Sequence, residues 1–178
     1  CNTSGTVSAN LNLDGGLGLS VKINVRSGNS GAMVIANTAS TTGTATYSGN
    51  LYLDHNATRY ANSGGAVALS GSTLDLKNQT LMVDGAGTST SRDVLQQSTG
   101  NGSWIKNGSG TLTLSGDNTY SSNTAISAGA LLVNNSTGSG TGSGTVAASS
   151  GGTLGGNGSI SGAVTVGSGS SGTLSPGS

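Results

Sequence analysis

The chain has 178 residues, 33 of them Gly, with one Pro, no Phe and only 7% charged side chains, six basic against six acidic. The cations Lys22, Arg26, Arg59, Lys77, Arg92 and Lys106 are scattered singly, which leaves no basic patch for nucleic acid or an anionic membrane. One cysteine, Cys1, rules out an internal disulfide and a cysteine-held metal cluster.

Chains rich in Gly, Ser, Thr and Asn stay disordered when they bury too little apolar surface to offset the entropy of ordering the backbone. Here the aliphatic residues stand in a period of two, which is the signature of strands. In chain order the alternation covers Leu51-Tyr52-Leu53, Ala66-Val67-Ala68-Leu69, Thr73-Leu74-Asp75-Leu76, Thr111-Leu112-Thr113-Leu114 and Gly162-Ala163-Val164-Thr165-Val166. Gly, Asn, Asp and Ser separate these runs and accept turn geometries. No 3.6-residue period persists, so helix is expected to be nearly absent. No apolar run approaches about 18 residues and no signal peptide is visible, so no transmembrane segment is expected in this chain. A first residue that is Cys points to a chain processed or cut from a longer one, with lipidation of Cys1 as the less plain reading.

A Gly, a small residue and a Leu recur as Gly110-Thr111-Leu112, Gly129-Ala130-Leu131, Gly152-Thr153-Leu154 and Gly172-Thr173-Leu174, the leucines 19, 23 and 20 positions apart. Upstream, Leu51 and Leu74 are 23 apart, and Leu74 to Leu112 is 38, twice 19. A helix-free repeat of this length is too short for a propeller blade and leaves a parallel β-helix, a solenoid of about eight coils of about 20 residues. Stacked about 4.8 Å apart, these make a rod on the order of 40 Å long. The thin interior predicts Leu, Val, Ile and Ala inside, aromatic rings over coil edges or beside turns, and Thr, Ser and Asn ladders outside.

Residues 104–178 resemble the autotransporter-associated β-strand repeat of bacterial passenger regions. The residues that carry the resemblance are Ile105-Lys106-Asn107-Gly108-Ser109-Gly110-Thr111-Leu112-Thr113-Leu114-Ser115-Gly116, Asn118-Thr119-Tyr120, Thr124, Gly129 to Val133, Gly152 to Gly156 and Gly172 to Gly177. The resemblance implies an all-β, right-handed parallel β-helix, secretion, and display at the bacterial cell surface. It implies no single activity, since such proteins include adhesins, aggregation factors, stalks and biofilm scaffolds. The chain is expected to be a single β-helix segment over 1–178, with less regular coils over 1–100 and repeat coils over 101–178.

The candidates for chemistry are few. His55 is the only histidine, flanked by Asp54 and Asn56, and reads as a turn or surface residue rather than the base of a triad. Among the aspartates, Asp75 and Asp84 near Lys77 are the pair a polysaccharide lyase or hydrolase on a β-helix would use, although Asp84-Gly85 and Asp117-Asn118 have the look of turns. Gly167 to Gly172 fits G-x-G-x-x-G without a following helix or acid, and Gly155 to Ile160 puts Ile160 where a calcium carboxylate should stand. The Thr44/Thr46 and Thr111/Thr113 pairs suggest an ice-binding rank, but Ala130/Leu132 and Thr153/Gly155 break it. Trp104 with Tyr47, Tyr52, Tyr60 and Tyr120 is the only material for a sugar-stacking platform.

No catalytic, cofactor or metal residue is therefore assigned, and no cofactor is expected. The expected function is a non-enzymatic stalk, adhesin or extracellular scaffold. Its expected partners are further copies, through solenoid ends or lateral faces and so into filaments, and host or neighbouring-cell surfaces or glycans. A lyase or hydrolase, or a carbohydrate-binding module, is the alternative. In the stretch from Trp104 to Tyr120, Leu112 and Leu114 should point inward, and the turns should fall at Gly108 to Gly110 and Gly116 to Asn118.

Overall fold

The structure is a computed structural model that describes residues 9–13, 16–25, 33–38, 42–71, 73–167 and 170–177. Cys1, Arg26, Ser168 and Gly169, all weighed above, lie outside the described residues, as do Asp14 and Gly15. Short alternating runs broken by turn residues give short strands, and every regular element among the described residues is a strand of two to five residues.

The strands form three parallel sheets. The first holds β1 (Ala9–Asn12), β4 (Met33–Asn37), β7 (Ala57–Ala61), β10 (Thr80–Asp84), β13 (Ser103–Lys106), β15 (Thr124–Ile126), β17 (Val146–Ala148) and β19 (Val164–Val166), stacked in that order. The second holds β2 (Gly18–Leu19), β5 (Gly43–Tyr47), β8 (Gly65–Leu69), β11 (Thr88–Ser91), β14 (Thr111–Leu114), β16 (Ala130–Val133), β18 (Thr153–Gly156) and β20 (Thr173–Pro176). The third has only β3 (Ile23–Val25), β6 (Leu51–Leu53), β9 (Thr73–Asp75) and β12 (Val94–Gln96). Each of the first four levels takes one strand from each sheet in succession and each of the last four takes one from the first sheet and one from the second, which makes a parallel β-solenoid of eight levels and about seven turns.

The leucine repeat is a physical column: Leu112 pairs with Leu131, Leu131 with Leu154 and Leu154 with Leu174. Leu112 and Leu114 point into the core and are 1% and 0% exposed, with Thr111 and Thr113 alternating to the outside. The upstream extension differs from the expected spacing. Leu74 pairs with Leu51 below and Leu95 above, all in the third sheet. Below Leu112 stand Ser89 and Val67 instead. The 38-residue spacing therefore joined two sheets, because three-sided levels place leucines on more than one wall.

Beyond β12 the third wall is made without strands, by arcs over 115–123, 134–145 and 157–163. Main-chain bonds join the arcs, as from Asn118 N–H to the Ser139 carbonyl and from Gly140 N–H to the Ser159 carbonyl, and buried amides and hydroxyls add to them. Asn118 accepts the Leu95 N–H at 2.9 Å and donates through Nδ2 to the Gly140 carbonyl at 2.6 Å. Asn135 accepts the Ser159 N–H at 3.0 Å, and the Ser139 hydroxyl accepts the Ser161 N–H at 3.1 Å. Each side chain supplies what a neighbouring strand would have supplied.

Close stacking also fixes glycines. A Cβ on Gly110 would lie 1.9 Å from the Gly87 carbonyl oxygen of the level below. At Gly129 the requirement is a positive φ of 65°.

The interior is less uniform than expected. Trp104, Tyr47 and Tyr120 are 1%, 1% and 0% exposed and sit inside the stack, not over its edges. Their polar ends explain part of this: Tyr47 donates to the Leu11 and Ala36 carbonyls at 3.1 and 3.0 Å, and the Tyr120 and Thr124 hydroxyls meet at 2.7 Å. Burial pushes the Tyr47 phenol up to about 12 and raises that of Tyr120 as well.

Candidate functional site

Two places gather polar side chains: the outer face of the third sheet and the lumen around the fourth level. On the outer face the column Asn24, Tyr52, Asp75 and Gln96 runs up the sheet. The Lys22 ammonium lies 4.6 Å from the Tyr52 ring centroid, a cation–π contact. Lys77 forms an ion pair with Asp54, and this raises the Lys77 ammonium above its ordinary value.

Asp75 is 3% exposed and accepts the N–H groups of Lys77 and Ser98, both at 3.0 Å. Burial pushes its carboxyl up, but the hydrogen bonds from Ser98 and Lys77 and the nearby Lys77 charge outweigh this and hold it below the usual range. A carboxylate that receives two backbone donors and stays ionised is a clamp between levels and a poor proton donor. Asp84 is in the first sheet, at the end of β10, and caps the Gly85 N–H at 2.8 Å. The candidate acid pair Asp75 and Asp84 thus belongs to different walls, and Lys77 is engaged with Asp54.

The other candidates are placed as follows. His55 lies in the bend after β6, half-buried, with Nδ1 2.9 Å from the Asn56 carbonyl. Of the aromatic residues, Trp104, Tyr47 and Tyr120 are inside, while Tyr52 and Tyr60 are half-buried on the outer faces of two different sheets. Thr44/Thr46 stack on Ala66/Ala68, then Thr88/Thr90, then Thr111/Thr113, and the next level is Ala130/Leu132. The threonine rank is interrupted within five levels. Among the described residues no three His, Cys, Asp or Glu side chains gather to hold a metal ion, and no helix is long and apolar enough to cross a membrane.

The lumen cluster was missed by sequence reasoning. Along the first sheet one inward column reads Leu11, Ile35, Arg59, Val83, Lys106, Ile126, Ala148 and Val166. Arg59 and Lys106 are 0% and 2% exposed, and Asp93, in the bend after β11, is 1% exposed. Burial lowers the Arg59 guanidinium to about 9 against the opposing pull of Asp93, and raises the Asp93 carboxyl to about 6 against Arg59 and the Gly71 N–H. Lys106 is lowered by burial, with Asp84 opposing and Arg59 adding. Its ammonium donates to the Gly108 carbonyl and, at 3.4 Å, to that of Ala128. The signal that could have found Arg59 is its flanks: Ala57 and Ala61 share its face and leave room for one long side chain.

The fold is a parallel β-solenoid with a repeat in register along its ladders, and comparison with known proteins finds two likenesses. The passenger-associated-transport-repeat family matches residues 105–133, which are the fifth and sixth levels. The chain is also 39% identical over 125 residues to the adhesin BmaC autotransporter of Brucella suis biovar 1 (strain 1330), covering 65% of this chain and 3% of that protein. The chain therefore spans a small part of the relative's length. No solved structure matches.

Proposed function

We propose that this chain is a non-enzymatic, surface-displayed part of an autotransporter adhesin, a rigid spacer that carries adhesive contacts away from the cell. The observation that carries the reading is the unbroken stacking of two eight-stranded ladders across a passenger-associated-transport repeat. Parallel stacking joins every level to the next through backbone hydrogen bonds, so the unit resists bending and adds length by adding levels. Protease shaving of intact cells tests the location: loss of this segment without lysis supports display, and its retention until lysis removes the reading.

The rod also associates laterally with further copies. The outer positions of the second sheet from Thr44 to Thr113 are Thr and Ala without a charge, a surface with nothing to repel its own kind. Thr90→Lys with Thr113→Lys should shift a concentration-dependent sedimentation boundary to monomer. A boundary that does not change with concentration in the unaltered protein would remove the lateral contact.

A further inference from the structure

The lumen at the fourth level departs from the rule that governs the rest of the core. Ser89 stands between Val67 and Leu112, and Ser91 between Leu69 and Leu114, so two branched aliphatic side chains are replaced by hydroxyls at one height of the stack. Arg59 faces inward on the level below and Trp104 faces inward on the level above. Asp93 attracts the Arg59 guanidinium and Arg59 repels the Lys106 ammonium, so all three charges lie in one stretch of the lumen.

The hydrogen-bonding groups gathered here are mostly donors. Arg59 Nε, Nη1 and Nη2, Trp104 Nε1 and the Ser89 and Ser91 hydroxyls have no hydrogen-bond partner, and the one pure acceptor among them, Asp93 Oδ1, has none either. Arg59, Ser89, Ser91 and Trp104 are each at most 2% exposed. Unpaired donors in a dry interior are among the most unfavourable features a fold can carry. Lys106 is offset by Asp84 and by the Gly108 and Ala128 carbonyls, so the guanidinium of Arg59 has Asp93 as its counter-charge and is fully compensated only while Asp93 is ionised. A small, singly negative group fits the donor excess, whereas a phosphate or sulfate brings more charge than one guanidinium offsets.

We propose that the lumen around the fourth level is a binding site for one halide-type anion, held by the Arg59 guanidinium with the Trp104 N–H and the Ser89 and Ser91 hydroxyls. Asp93 competes with the anion for Arg59. The anion locks β7, β11 and β13 together from within and fastens the three-sided coils to the repeat coils.

The test is amide hydrogen exchange on the full-length protein in sodium bromide against sodium gluconate at equal ionic strength. Peptides from β7 and β11 should exchange about tenfold more slowly at a bromide concentration ten times the dissociation constant, while peptides from β15 to β19 stay unchanged. Arg59→Met should abolish the difference and Asp93→Asn should enlarge it. Should Arg59→Met fail to fold, Trp104→Phe, which keeps the ring and removes the donor, should shrink the difference. Equal exchange in both salts, a uniform change along the rod, or loss of the bromide effect in Asp93→Asn would each overturn the site. So would bromide-grown crystals whose anomalous map is empty beside Arg59.

Discussion

The first four levels and the last four build the same rod with different third walls. Below Leu95 the wall is a ladder of strands, β3 through β12, in which backbone pairs with backbone. Above it the wall is a set of arcs in which scattered main-chain bonds, such as Thr119 N–H to the Leu95 carbonyl and Asn118 N–H to the Ser139 carbonyl, are completed by the side chains of Asn118, Asn135 and Ser139. Stacking a solenoid therefore requires donors and acceptors at the right height, and whether they belong to main chain or side chain is secondary. The two halves also differ inside: the interior charges Arg59, Asp93 and Lys106 all fall in levels three to five, and the levels above hold only neutral polar groups among their described interior residues.

The sharpest way to break the comparison is at its seam. Asn118→Ala leaves the Leu95 N–H and the Gly140 carbonyl without partners in a buried place, a loss of about 4 kcal/mol at the usual cost of orphaned groups. Hydrogen exchange should then show levels five to eight opening while β4 to β11 stay protected. Loss of protection along the whole rod instead would mean that the halves do not open as separate units.

Next in size is the interior acid. Asp93 is pushed from 3.8 up to about 6 in the folded chain, so the folded state binds its proton first, and stability rises as pH falls from 7 through 6 toward 3.8. The gain is on the order of 3 kcal/mol, and Asp93→Asn should flatten it in urea titrations across that range. Asp75 has the opposite sign: held below its ordinary value, it contributes stability above 3.8 that is lost on further acidification. The three-sided half should thus be firmest in mild acid, and the arc-walled half nearly indifferent to pH over the same range.

The smallest effect belongs to the outer face of the third sheet. The Asp54–Lys77 pair is partly exposed, and Lys77→Ala should lower the melting temperature only slightly, and by less still in high salt. A thermal shift as large as that of Asn118→Ala would make the outer face a structural element on the scale of the seam.

Much of this was legible in the sequence. Gly110-Thr111-Leu112 and its successors announced a column because identical residues in register report a physical stack, and Thr111/Leu112 alternation fixed which side faced inward. The passenger-repeat character of the stretch from Ile105 was legible for the same reason. What failed to read was anything that depended on which of three walls a residue occupied. Leu74 and Leu112 had compatible spacing but stand on different sheets, and spacing alone carries no wall label. Arg59 and Lys106 stood out only as two of six scattered cations, and Ala57 and Ala61 gave the inward phase of Arg59 away only through size. Asn118 read as a turn residue because its bonds run to Leu95 and Gly140, which are distant in sequence. The acid pair Asp75 and Asp84 dissolved on the same ground: nine positions along the chain carried it around a corner.

The arcs have one more consequence. Those over 115–123, 134–145 and 157–163 differ in length, yet the two main ladders on either side keep their register through all of them. Length is thus uncoupled from register on this side, so residues can be gained or lost between the anchoring Asn118, Asn135 and Ser139 without a slip in the two ladders. For an engineer grafting a foreign epitope, the stretches between those anchors are the margin that can be rewritten while the spine stays constant.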